Sequence, residues 1–146
     1  MLKAILKTGL IAGTMDGAAA VIILAKMNFT GVFQYVASGA FGKGAFEGGT
    51  AMTIAGVALH YFNAFAFTIF YFVMLPFVSF LRGRLLISTV VYGVFVWCVM
   101  NLLVVPMSNV NMAPFNLSRA LLNMVILVFC IGLPISYFAN KYYDSK

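Results

Sequence analysis

Asp16 and His60 are the residues of this chain best suited to do chemistry. Asp16 interrupts residues 8–25, an otherwise uncharged and strongly apolar run. An ionised carboxylate deep in a membrane costs at least about 2.5–3.5 kcal/mol, so it is paired, hydrated or protonated. The chemistry open to it is the holding of a proton or cation. The structural alternative is an interhelical hydrogen bond from a neutral or shielded acid. His60 is the only histidine. Counted along their helices, Asp16 lies about 16 Å and His60 about 15 Å from the start of its span, so the two can meet at one depth. An Asp–His pair can hold or relay a proton; a lone histidine otherwise serves as a hydrogen-bonded core residue. Thr53, Gly56, His60 and Asn63 form a polar stripe on one helical face. One histidine and one aspartate fall short of a metal ligand set, and a bis-histidine haem would need a second copy of the chain. No metal or cofactor is expected.

Other polar groups lie farther out, toward the outer third of the membrane. Asn101 and Asn123 fall toward the same end of the third and fourth spans. Amides there can bond across helices or line a pathway. Gly9, Gly13 and Gly17 make two overlapping G-xxx-G steps, a spacing that lets helices approach closely in lipid. The P-loop, G-x-S-x-G and H-E-x-x-H motifs and paired carboxylates are all missing from the sequence, so an enzyme is not expected. Cys98 and Cys130 sit in apolar runs as small hydrophobes.

The elements that position these groups follow from composition. The chain is 64% hydrophobic and 8% charged, with a mean hydropathy of +1.05. A soluble domain is roughly 45–50% apolar and about 25% charged. Nine basic and three acidic residues cannot clothe a soluble globule, and disordered chains are polar. The basic residues are scattered rather than clustered, which excludes a nucleic-acid interface. The expected fold class is an all-α membrane protein in a single domain, residues 1–146.

Uncharged runs at 48–81, 85–118 and 120–140 join the first run, and Pro76 and Pro106 mark where the second and third should close. Four transmembrane helices are predicted at about 5–27, 50–75, 86–106 and 119–139. The first is read as a retained span, being too long and too acidic for a signal peptide. Lys3, Lys7, Arg82, Arg84, Lys141 and Lys146 would share one side, against Lys26, Lys43 and Arg119 on the other. That bias places both termini in the cytoplasm. Tyr142 and Tyr143 beside Lys141 read as an interface anchor. Between helices 1 and 2, Val32, Phe33, Val36 and Ala40 fall at helical spacing, predicting a short interfacial helix. The Gly-rich segment of residues 38–49, with Ser38, Gly39, Gly42 and Glu47, fits either a turn or a re-entrant hairpin. Lys43 and Glu47 are spaced to pair on a helical turn.

The strings AGTMDGAAA, QYVASGAFGKGAFEGG, LHYF, VYGVFVWCVMNLLVVPMS and IGLPIS resemble a group of small uncharacterised bacterial four-span membrane proteins. More distantly, H-x-F-N at 60–63 is similar to the YagU type of inner-membrane protein. The resemblance implies the bacterial inner membrane and places Asp16, Ser38, Gly39, Gly42, His60, Asn101 and Pro106 at the group's motif positions. Relatives often carry histidine where this chain has Asn123. The group has no established activity to confer.

Two functions fit these residues. One is a proton- or ion-linked transporter or channel, acting as a homo-oligomer because four short spans enclose little volume. The alternative is a non-catalytic accessory protein that binds lipid or stabilises a larger membrane complex. The bilayer is a partner in both; the solute or ion is unspecified.

Overall fold

The computed structural model describes residues 1–110 and 114–146. Four long helices run antiparallel in sequence order: α1 (Leu2–Leu24), α3 (Gly49–Phe77), α4 (Leu85–Met107) and α5 (Leu117–Asp144). Each is long and apolar enough to cross a membrane. A shorter helix, α2 (Phe29–Phe41), lies between the first two. There is no strand among the described residues. The chain is an all-α membrane protein.

Both termini and the α3–α4 turn meet at one end, here the terminal end. Asn140 Oδ1 accepts from the Gly83 amide at 2.9 Å, and Tyr143 Oη donates to the Phe72 carbonyl at 2.7 Å. At the distal end, the Asn109 amide donates to the Gly39 carbonyl at 3.0 Å, tying the α4–α5 connection to α2.

The first span ends three residues earlier than the sequence suggested. Lys26 and Met27 take positive φ, 48° and 72°, and turn the chain before the Asn28 side chain caps α2 by accepting from the Gly31 amide at 2.9 Å. Asp16 therefore lies only about 12 Å from the distal end of α1. His60 is about 16 Å from the distal end of α3. Both sit in the distal half of the bundle.

Three spans contain a π-helical stretch: Ala20–Leu24, Val99–Val104 and Val128–Gly132. The last two come just before Pro106 and Pro134. A proline ring clashes with the carbonyl four residues back and supplies no amide hydrogen, and a widened turn accommodates both defects. The fourth span continues past Pro134 to Asp144, beyond the expected end at 139.

The Gly-rich segment is a short 3₁₀ turn, Gly42–Glu47, which leads directly into α3. Lys43 and Glu47 do not pair as expected, because in a 3₁₀ turn residues four apart are not juxtaposed. The helix beside it, α2, crosses the distal half of the bundle and buries Phe33, Gln34, Ala37 and Ser38. This face is rotated from the expected one. Val32 and Val36 are half-buried and Ala40 is exposed. Gly56 lets α2 approach, since a Cβ there would overlap the Phe33 carbonyl.

The terminal half is packed through. Tyr71, Phe72, Leu75, Tyr92, Val96, Ile135 and Ala139 are buried in one cluster. The Tyr71 and Tyr92 rings lie 4.5 Å apart.

Candidate functional site

The glycine stripe of α1 brings Asp16 and His60 together. Gly9, Gly13 and Gly17 are all buried. A Cβ at Gly9 would overlap Phe65, one at Gly13 would come within 2.8 Å of Tyr61, and one at Gly17 would stand 3.2 Å from His60 Nε2. With no side chains on this face of α1, the rings of α3 pack directly on its backbone, and the imidazole reaches it. His60 Nε2 lies 2.8 Å from the Gly13 carbonyl oxygen. A carbonyl can only accept, so Nε2 carries a hydrogen and donates.

That bond determines the other side of the ring. His60 Nδ1 faces Asp16 Oδ2 at 4.0 Å. At this separation the two groups interact as charges rather than through a hydrogen bond: an imidazolium beside a carboxylate, or a neutral ring beside a neutral carboxyl. In both states the pair is neutral overall. The Asp16 and His60 side chains are 20% and 14% exposed, so a route reaches both from the surface of the bundle.

The route is a cleft of about 460 Å³ bounded by all five helices. Asp16 and His60 lie at its deep end; Asn101, Asn123, Tyr35 and Arg119 line the rest. It continues into a second chamber of about 510 Å³ beside the α4–α5 connection, with Tyr35, Asn101, Arg119 and Asn123 common to both. Trp97, Pro114 and Phe115 line that distal chamber. On the other face of His60, an apolar groove of about 470 Å³ runs between α1, α2 and α3, past Val21, Phe29, Phe33 and Val57. The imidazole stands between a cleft that carries a few polar side chains and a lateral groove that is apolar throughout. The Thr14 and Tyr61 hydroxyls close the groove's edge with a 2.7 Å hydrogen bond.

Of the residues singled out from sequence, Asp16, His60, Asn101 and Asn123 share the cleft. Asn101 donates from Nδ2 to the Trp97 carbonyl of its own helix at 3.0 Å, rather than across helices. Asn63 stands apart, lining a pocket with Leu59, Val104 and Ser108. Three residues beyond His60, it has rotated about 60° around α3 toward α4. Thr53 and Gly56 pack under α2, where Thr53 Oγ1 donates to the Gly49 carbonyl at 3.3 Å. Ser38 is buried and donates to the Tyr35 carbonyl at 2.6 Å. Gly39 pins the α4–α5 connection, Gly42 turns the chain at φ 72°, and Glu47 is exposed. None of these four loop residues lines the cleft.

Arg119, Tyr35 and Trp97 were not singled out from sequence. Arg119 stands one helical turn before Asn123, a spacing that already assigns the two to one face. Cys98 and Cys130 are half-buried free thiols. No cluster of three or more His, Cys, Asp or Glu side chains able to hold a metal exists among the described residues. No protein-family model, curated protein or solved structure matches the chain.

Proposed function

We propose that this protein is a small transporter of the bacterial inner membrane, with cytoplasmic termini, in which the Asp16–His60 pair takes up and releases a proton as the distal cleft loads. The observation that carries this reading is the cleft itself. A passage with Tyr35, Asn101, Asn123 and Arg119 set into largely apolar walls leads from the distal end to a carboxyl–imidazole contact in the bundle interior. A purely structural hydrogen bond would be sealed by packing, as the rest of the core is.

Two features support alternation rather than an open pore. The terminal half is tightly packed beneath the pair. Along that seam the hydroxyls of Tyr71, Thr89 and Ser136 are buried with no partner among the described residues. Each unmet hydroxyl costs about 1–3 kcal/mol, and a state in which the seam opened to water would satisfy all three. The cleft is enclosed by helices of one chain, so the enclosed volume no longer requires a pathway between protomers. An accessory protein would need neither the passage nor the pair.

Proton flux into liposomes tests the reading, with wild type beside Asp16→Asn. The amide is close in size and can still donate to Nδ1, so the fold should survive while pH-driven flux falls to background. Absence of flux in the wild type, under both gradient directions and several ions, would refute transport and leave the accessory role.

A further inference from the structure

We infer that the cleft selects a small monovalent anion, a monocarboxylate, which it binds while the Asp16–His60 pair is protonated and neutral overall. This rests on the transport reading above and names its substrate class. The argument begins with charge. The Gly13 carbonyl holds a hydrogen on Nε2, and the 4.0 Å approach of Nδ1 to Oδ2 on the other side is that of an ion pair, an imidazolium beside a carboxylate. The pair is then neutral, and Arg119 is the one uncompensated charge on the walls of either chamber among the described residues. Glu47 and Asp144 line neither chamber, and Arg119 has no acidic partner within ion-pair distance among the described residues. The empty cleft is therefore net positive, and one bound anion neutralises it.

The chemistry of the walls fits a carboxylate. The planar guanidinium presents parallel N–H groups that match two carboxylate oxygens. Asn123 follows one turn deeper on α5, Asn101 faces from α4 and Tyr35 from α2, adding amide and hydroxyl donors for an oxyanion. A single cation suits a monovalent ligand over a dianion. Cations are repelled at the mouth by Arg119 before they reach Asp16.

Proton coupling follows from the same tally. Asp16 is faced by His60 on α3, with Cys130 on α5 within electrostatic reach; Arg119 on α5, Tyr35 on α2 and the uncharged Asn101 and Met100 on α4 share its cleft. When the pair loses its proton the cleft drops from net positive to neutral, and the attraction for an anion is lost. Anion binding is therefore strongest at low pH and weakens as pH rises.

Trp97 is the only tryptophan and lines the distal chamber beside Arg119, so its fluorescence reports what enters. The test compares iodide and caesium quenching of the full chain in detergent. With each ion's quenching normalised to its quenching of free indole, iodide should exceed caesium roughly threefold, as expected for one cation near the indole. Arg119→Gln should bring the ratio to about one. Its side chain is exposed, and the Asn116 cap contacts only its backbone amide, so helicity should be unchanged. Arg119→Lys should keep the iodide preference and lose protection by lactate, because a lysine ammonium lacks the fork. In wild type, lactate protection should weaken with rising pH, and Asp16→Asn should abolish that dependence. Equal normalised quenching by the two ions in wild type, or an iodide preference that survives Arg119→Gln, would overturn the proposal. Protons moved in liposomes without iodide preference would sink the anion site and keep transport. Lactate binding without any flux would keep the anion site and sink transport.

Discussion

Replacing Gly93 with alanine should loosen the crossing of α4 and α5. A Cβ at this position would stand 2.5 Å from Val128 Cα and 2.7 Å from Val128 Cγ2. Carbon atoms at rest sit about 3.5 Å or more apart, so the two helices must separate by about 1 Å. Neither can yield by turning a side chain, because the nearest obstacle is backbone. The same crossing is close from the other side: a Cβ at Gly132 would be 3.1 Å from the Gly93 nitrogen and would overlap the Thr89 carbonyl. Overpacking of this kind costs about 1–3 kcal/mol, or roughly 5- to 150-fold in the folding equilibrium. The assay is unfolding by SDS titration in bicelles, followed by far-ultraviolet circular dichroism. Gly44→Ala is the control, since nothing lies within 4 Å of a Cβ there, and it should stay within about 0.5 kcal/mol of wild type. If Gly93→Ala also stays within that range, the close helix contact assigned to this glycine does not exist.

Two further outcomes are expected. Asn140→Ala removes the acceptor for the Gly83 amide, which should cost about 1–3 kcal/mol and speed tryptic cleavage at Arg82 and Arg84; unchanged cleavage would show that Asn140 does not hold this turn. In a variant with Cys98 and Cys130 replaced, Gly44→Cys and Ser145→Cys should react with an impermeant maleimide from opposite sides of the membrane, and labelling of both from one side would refute the arrangement of the ends.

The spans were legible because charge and proline punctuate the chain. Arg82 and Arg84 bound two of them, and Pro76 and Pro106 end helices within a residue or two. The end of α1 was not legible, because the turn rests on positive φ at Lys26 and Met27, residues with no glycine-like signature. The buried face of α2 was misjudged for a different reason. Gln34 and Ser38 are polar, yet they bury by bonding to backbone, Gln34 Nε2 donating to the Gly49 carbonyl at 3.4 Å and Ser38 to Tyr35. Hydrophobic spacing cannot register that. Equal depth was enough to bring Asp16 to His60, and the shared outer position of Asn101 and Asn123 put both on the wall of the same cleft. Depth could not separate Asn63, whose direction depends on rotation about the helix axis. Arg119 was read as orientation signal alone, although its spacing from Asn123 placed it on the same face.

The contact between the Gly13 carbonyl and His60 bears on how the chain enters the membrane. Synthesis proceeds from the N-terminus, so Asp16 reaches the bilayer before His60 exists. Alone, the acid sets about 2.5–3.5 kcal/mol against insertion of α1, while each leucine, isoleucine, phenylalanine or valine near the helix centre returns only about 0.3–0.6. A first helix so handicapped is held in place by the second. The short distance in sequence between α1 and α3, and the bare glycine face along which they meet, make the two spans a single inserting hairpin, with the histidine arriving as the acid's counterpart.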